Sequence, residues 1–384
     1  MPENVTHPFH PTTRSAALAL VALLGAGCAT VAPAKSEFVW PAPPEIARIR
    51  HVRAFSTADE LAPSTWRKIV NALVPMSPRA QLRTPNGMAL SPDERYLYVA
   101  NPGARTLVRV DLTKGDMKVI GDAPPANIAR PFGVGVDAEG NVYVSDQPMG
   151  EILVFDRDGK FLRRFGKTLL EEPISLAVDR KRQVLYVLNG VTSRKTEHRV
   201  EVFSLKGEHV RTMGRRGAEN GQFNFASHLA VASDGRLFVA DMLNFRVQVF
   251  DPEGQFVTSF GQVGAGGPGY FDKVKGVSFD TFGNIYVADT LHGVQIFNPS
   301  FQPLMIFGET FVQMPTGLVI DSRNHIYVSD PSTGMVHEFV LINTSAQDSF
   351  AAPSEPAKAA PAAPASPAPA PSPTDAPAKS PSDG

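Results

Sequence analysis

Val239-Ala240-Asp241-Met242-Leu243-Asn244-Phe245-Arg246-Val247-Gln248-Val249-Phe250 decides the architecture. An apolar run closes on Asp, a short polar turn follows, and a second apolar run closes on Phe. Side chains of a strand alternate between its two faces, so runs this apolar bury both faces, as a sheet stacked between neighbours must. Upstream, Asp234-Gly235-Arg236 places Gly where a tight hairpin needs positive φ. Before that hairpin, Ala226-Ser227-His228-Leu229 opens the unit.

The unit recurs. Pro85-Asn86-Gly87-Met88 leads to Leu97-Tyr98-Val99-Ala100-Asn101, and Pro131-Phe132-Gly133-Val134 leads to Val142-Tyr143-Val144-Ser145-Asp146. Pro173-Ile174-Ser175-Leu176 leads to Leu185-Tyr186-Val187-Leu188-Asn189, and the fourth copy runs through Leu237-Phe238-Val239-Ala240-Asp241. Val274-Lys275-Gly276-Val277 leads to Ile285-Tyr286-Val287-Ala288-Asp289, and Pro315-Thr316-Gly317-Leu318 to Ile326-Tyr327-Val328-Ser329-Asp330. The closing Asn or Asp positions step by 45, 43, 52, 48 and 41 residues. Short alternating strands at that period predict an all-β, six-bladed β-propeller over residues 47–343.

Third strands are expected at Ile152–Phe155, Val247–Phe250, Val294–Phe297 and Phe339–Ile342. Fourth strands are expected at Phe161–Gly166, His209–Gly214, Phe256–Gly261 and Pro303–Gly308. The sixth repeat has no fourth strand of its own. Ile49–Phe55 resembles Phe161–Phe165 and is expected to supply it, removing an exposed sheet edge. Trp66, Ile69, Val70 and Leu73 have helical spacing, which predicts a short helix over 64–73. The repeated Asp146, Asp241, Asp289 and Asp330 are read as structural acceptors for amides of the following turn, because a position repeated in every blade serves the repeat.

The two ends read differently. Arg14, the apolar run Ser15–Gly27 and the small residues that follow describe a signal peptide over 1–27. Leu24-Gly25-Ala26-Gly27-Cys28 resembles a bacterial lipobox, with Gly25 where that family usually has Leu; the resemblance implies lipidation of Cys28, with 28–46 as a linker, and the alternative is cleavage near Ala26 or Ala29 to give a soluble periplasmic protein. Cys28 is the chain's single cysteine, so no disulfide framework exists, and Ala29 behind it resembles outer-membrane sorting signals. The expected location is the bacterial cell envelope, as an outer-membrane lipoprotein facing the periplasm or the cell surface. Residues 344–384 are rich in Ala and Pro, lack the surface to offset ordering entropy, and are expected to be a disordered tail. The 384 residues hold 37 Lys and Arg against 38 Asp and Glu, a balance that argues against nucleic acid as partner.

Gly214-Arg215-Arg216-Gly217-Ala218-Glu219-Asn220-Gly221-Gln222-Phe223-Asn224, together with the stretch 239–250, resembles NHL repeats. WD40 propellers fit less well, because Trp40 and Trp66 both lie outside the repeats. Gly214–Gly221 lacks the Lys-Ser/Thr of a phosphate loop, and Gly264–Gly269 reads as a mobile interblade loop.

Propeller geometry places the start of each innermost strand at the channel mouth. The candidate ligand-binding residues are therefore Asn86, Phe132, Ile174, Ser227, His228, Lys275 and Thr316. Calcium-dependent lactonases of the gluconolactonase type are similar propellers, and Asn86 matches one of their metal-ligand positions. Calcium takes roughly six to eight oxygen ligands, and the mouth supplies no carboxylate, so neither metal nor cofactor is expected. The zinc propeller of the peptidylglycine amidating lyase type needs several histidines. His228 alone reaches the mouth, His292 reads as a surface-loop residue, and His228 is read as a hydrogen-bonded space filler between blades. The loop Gly190–Arg199 lengthens the third repeat and is either a basic docking loop or merely solvated. The function put first is an envelope-tethered binding or scaffold protein for a protein, peptide or glycan. The alternative is a channel-mouth hydrolase or lyase.

Overall fold

The computed structural model describes residues 38–62, 80–190, 198–264 and 266–343. Five antiparallel four-stranded sheets follow one another in the chain. Blade 1 comprises Met88–Leu90, Tyr96–Asn101, Thr106–Asp111 and Asp116–Ile120. Blade 2 comprises Pro131–Val136, Val142–Asp146, Glu151–Phe155 and Phe161–Phe165. Blade 3 comprises Ser175–Asp179, Val184–Asn189, Arg199–Ser204 and His209–Met213. Blade 4 comprises Ala226–Val231, Leu237–Asp241, Arg246–Phe250 and Phe256–Phe260. Blade 5 comprises Val274–Phe279, Ile285–Asp289, Gly293–Phe297 and Pro303–Phe307.

Blade 6 contributes Leu318–Ile320, His325–Asp330 and Met335–Leu341, and its outer strand is Ile49–Phe55. The third strand of this blade starts earlier than the expected Phe339, because Val336–Val340 is paired on both sides. The expected ring closure is present: Ile49 faces Leu341, His51 faces Phe339 and Phe55 faces Val336, with a bulge between His51 and Arg53. Arg53 Nε donates to Glu338 Oε2 at 2.6 Å across this seam. Val39–Trp40 adds a short fifth strand, and the Trp40 ring stands edge-on to Phe307, Phe311 and Phe339.

The core is a set of interblade layers rather than one central mass. One cluster joins Tyr327 and Val336 of blade 6 to Leu97, Val99 and Val108 of blade 1. Others join blades 1 and 2 through Tyr98 and Val144, and blades 3 and 4 through Tyr186 and Val239. The aromatic residue of each second strand (Tyr98, Tyr143, Tyr186, Phe238, Tyr286 and Tyr327) is at most 1% exposed. Each blade is thus apolar on both faces because each face is a core. The hairpin glycines behave as expected, with φ of 87° at Gly140, 90° at Gly235 and 82° at Gly283.

The repeated Asp or Asn is a clamp, and its partners correct the sequence reading. It was expected to hold the turn that follows. Its constant partner is the segment that leads into the same blade. The amide 17 residues earlier donates to it in every blade: Thr84 to Asn101, Ala129 to Asp146, Glu172 to Asn189, Asn224 to Asp241, Asp272 to Asp289, and Gln313 to Asp330. At Asp289 and Asp330 amides of the following turn are held as well.

A four-residue helix at Ala58–Leu61 was not anticipated. Glu60 accepts the amides of Ser56 and Thr57, and Leu61 is buried. The expected helix over 64–73 lies outside the described residues, as do the signal peptide, Cys28 and the tail. A two-residue parallel pairing of Gln262–Val263 with Tyr270–Phe271 brackets the Gly-rich run before blade 5.

Two outcomes follow from this architecture. Asp241 is fully buried and accepts from Asn224 N, Asn244 Nδ2, Arg246 Nε and Gln248 Nε2. Asp241→Ala leaves the half-buried Arg246 cation without its counter-charge and buried amide donors without an acceptor, and should cost about 3–5 kcal/mol in urea denaturation. Asp234→Ala, at an exposed turn, should stay within about 0.5 kcal/mol.

The second concerns pH at the closing seam. Burial lowers the pKa of His51, and burial followed by His51 lowers that of His337 to about 4. Their folded values lie below the unfolded 6.5, so their contribution is full above pH 6.5 and is lost as pH falls toward 4. His325, raised chiefly by its hydrogen bond to Glu338, acts in the opposite sense. The difference in unfolding free energy between wild type and His337→Phe should therefore become less favourable to wild type from pH 7 to 4. A flat difference would remove His337 as the source.

Candidate functional site

Each innermost strand starts on one face of the ring, here called upper, and runs to the opposite, lower face. Antiparallel pairing puts the interblade segments and the second-to-third turns on the upper face too. Asn86, Phe132, Ile174, Ser227, Lys275 and Thr316 begin the six innermost runs at that mouth, and all are half-buried.

Three of them hold neighbouring blades together, and two more are tied down locally. The Asn86 carbonyl accepts from Ser329 Oγ of blade 6 at 2.7 Å, and the Phe132 carbonyl accepts from the Gly87 amide at 2.9 Å. Ser227 Oγ donates to the Val274 carbonyl of blade 5 at 2.7 Å. The Ile174 amide donates to the Leu188 carbonyl, and Thr316 Oγ1 to the Met314 carbonyl. The next residue in each run explains why Gly recurs there. A Cβ on Gly317 would lie 2.2 Å from the Asn86 carbonyl, and one on Gly87 would lie 2.4 Å from that of Phe132. Blades 3 and 4 put a side-chain acceptor in that position. Ser175 Oγ takes the Leu229 amide at 3.1 Å, and His228 Nδ1 takes the Val277 amide at 3.3 Å.

Lys275 is the exception. Its Nζ sits 3.1 Å from Met242 Sδ and has no ion pair among the described residues. Burial, then the charge of Lys273, lowers its pKa. Nearby, the Arg130 guanidinium stands 5.4 Å from the centre of the Phe132 ring. Met149, Leu291 and Met314, all exposed, lie in turns and segments of the same face. His292 is not a free surface-loop residue, since its Nδ1 is 2.7 Å from the buried Asp289 carboxylate. In the lengthened third repeat, residues 191–197 lie outside the described set, while His198 is buried and accepts the Phe225 amide.

The channel holds a cavity of ≈ 400 Å³, and it opens away from the expected mouth. Its walls are the innermost strands from Met88, Val134, Leu176, His228, Val277 and Leu318 downward, ending at Ser91, Glu94, Arg180, Lys181 and Ser233 on the lower face. Of the candidate residues only His228 borders it. Arg180 escaped the reading of the sequence. The signal was available by aligning the repeats: in the first-to-second turns its position is Pro92, Ala138, Ser233, Thr281 and Ser322 in the other blades. Among the described residues no group of three or more His, Cys, Asp or Glu is placed to hold a metal ion.

Sheet order, ring closure and interblade cores define a six-bladed β-propeller. The profile described as SMP-30/Gluconolactonase/LRE-like region matches residues 76–189. Protein brain tumor of Drosophila melanogaster is 33% identical over 117 residues, which are 30% of this chain and 11% of that protein. The chain thus spans about a tenth of the length of the curated relatives it matches. Among solved structures, a nidogen/laminin complex aligns at 17% identity with a TM-score of 0.52, over 62% of this chain and 86% of the other. Virginiamycin B lyase from Staphylococcus aureus, an inactive variant with quinupristin, aligns at 12% identity with a TM-score of 0.51, over 70% and 83%. At such identities these structures speak for the fold alone. Repeat pattern and sequence relatives, on this six-bladed architecture, support the reading as an NHL-repeat propeller.

Proposed function

We propose that the protein is a binding scaffold whose upper face docks a protein partner through an acidic and apolar segment. One observation carries the reading. The carboxylates of the repeat are turned inward and occupied by backbone amides and side-chain donors, while the mouth presents the half-buried Lys275 with no ion pair among the described residues. A desolvated ammonium without a counter-charge is costly, and a partner carboxylate offsets that cost. Arg130 over Phe132, with exposed Met149, Leu291 and Met314, adds the mixed basic and apolar character that such a segment fits. We further propose that the propeller is tethered in a bacterial envelope by lipidated Cys28, on the strength of the lipobox-like Leu24–Cys28.

The rival reading is a hydrolase or lyase working at this mouth, favoured by the profile match over 76–189. It requires turnover of a small substrate that Lys275→Glu abolishes.

Cross-linking in the intact envelope, followed by purification and mass spectrometry, should recover one near-stoichiometric protein with the propeller. Reversing charge at Arg130→Glu and Lys275→Glu together should lower that recovery at least tenfold without changing the melting temperature. Recovery of the propeller alone, or undiminished recovery by the double variant, sinks the docking surface. Separately, Cys28→Ala should move the chain from the membrane to the soluble fraction and abolish metabolic labelling with palmitate. Unchanged fractionation would dispose of the lipid tether.

A further inference from the structure

We propose that the lower channel cavity is a binding site for a small molecule with an apolar body, a carboxylate that meets Arg180 and a second hydrogen-bond acceptor that meets His228. The site is separate from the docking surface on the upper face, so either can fail without the other.

The inner end of the cavity is polar in one respect. His228 Nδ1 is occupied by the Val277 amide, which it accepts. Burial lowers its pKa to about 4, so the ring is neutral near pH 7 and its proton resides on Nε2. That N–H has no acceptor among the described residues, and His228 borders the open cavity. It is a donor held in place by the fold with nothing to donate to.

At the outer end, Arg180 reaches from blade 3 across two other blades. Its Nε donates to the Val136 carbonyl and its Nη2 to the Leu90 carbonyl, both at 3.0 Å. Nη1 has no acceptor, and the guanidinium has no ion pair among the described residues. Two carboxylates act on it through space, Asp137 and then Glu94, and both are engaged elsewhere: Asp137 by Asn141 and Tyr143, and Glu94 by the amide and Oγ of Ser322 at 2.8 and 2.6 Å. Lys181 is tied to the Ser233 carbonyl at 2.6 Å. Arg180 is therefore a positioned cation with spare donor capacity, suited to a carboxylate.

Between the two ends the walls are apolar: Ala89, Leu176, Ala177, Ala230 and Val319. Val136 and Leu90 stand three residues along their strands from Gly133 and Gly87, which share the level of His228 in the repeat. At a rise of 3.2–3.4 Å per residue the two donors are offset by roughly 10 Å along the channel. The volume of ≈ 400 Å³ falls in the usual range for small-ligand pockets. Neither donor belongs to the repeat. Glycine takes the place of His228 in four other blades, and small residues or Pro take that of Arg180 in all five.

The test is isothermal titration calorimetry of the full chain with octanoate and with its terminally hydroxylated counterpart. Saturable one-to-one binding is expected, tighter for the hydroxylated probe. Arg180→Met should weaken both at least tenfold at unchanged melting temperature. His228→Ser keeps a hydroxyl acceptor for the Val277 amide, as Ser175 does for Leu229, so the fold is preserved. This variant should lose the preference for the hydroxylated probe while still binding octanoate. No saturable heat with either probe, affinity unaffected by Arg180→Met, or a preference that survives His228→Ser would overturn the proposal. So would equal binding of inorganic phosphate, which needs no apolar wall.

Discussion

The structure depends on one hydrogen bond repeated around the ring: the amide that leads into a blade donates to the Asp or Asn that closes its second strand. The spacing of donor and acceptor is 17 residues in every blade, although the blades themselves recur at steps of 41 to 52. All length variation therefore falls outside the clamped stretch. Fixing the lead-in segment sets where the innermost strand starts, and so how near it comes to its neighbour. That approach is close enough that Gly87 and Gly317 leave no room for a Cβ. Burying the carboxylate is tolerable because its acceptor positions are filled; Asp241 alone takes four donors.

The same bond shapes the electrostatics. The chain carries almost balanced charge, but the acids of the repeat are spent inside the fold while Lys275 and Arg130 remain at the mouth. A chain of net charge −1 can thus present a locally basic, partly apolar rim. Composition alone argued only against broad polyanion binding, and that argument says nothing about such local separation.

Ring closure is the other constraint. Five blades form from consecutive chain, and the sixth waits for Ile49–Phe55. The seam is correspondingly distinctive: an Arg53–Glu338 ion pair, a bulge, the Trp40 ring against three phenylalanines, and His51 and His337 held neutral by burial. Through these two histidines the place where the two ends of the propeller meet loses stability in acid.

The sequence by itself determined the number of blades, their hairpins and the origin of the closing strand, because period-two alternation, turn glycines and a repeated Asp are local signals. It also marked His228 as a departure from Gly at its place in the repeat, and the hydrogen bond its ring accepts from the next blade was legible from that departure. It misplaced the clamp partner, since Asp289 lies 17 residues from the amide it holds but only two or three from the turn that seemed the nearer choice. It also directed attention to the upper mouth, where six of the candidate residues stand, while the cavity opens at the other end of the same strands. Only the tertiary structure decided that, because which end of a channel is pinched depends on how closely six strands from distant parts of the chain approach one another. For the same reason Arg180, unremarkable in its own turn, became part of a site only when the ring brought the carbonyls of Leu90 and Val136 within its reach.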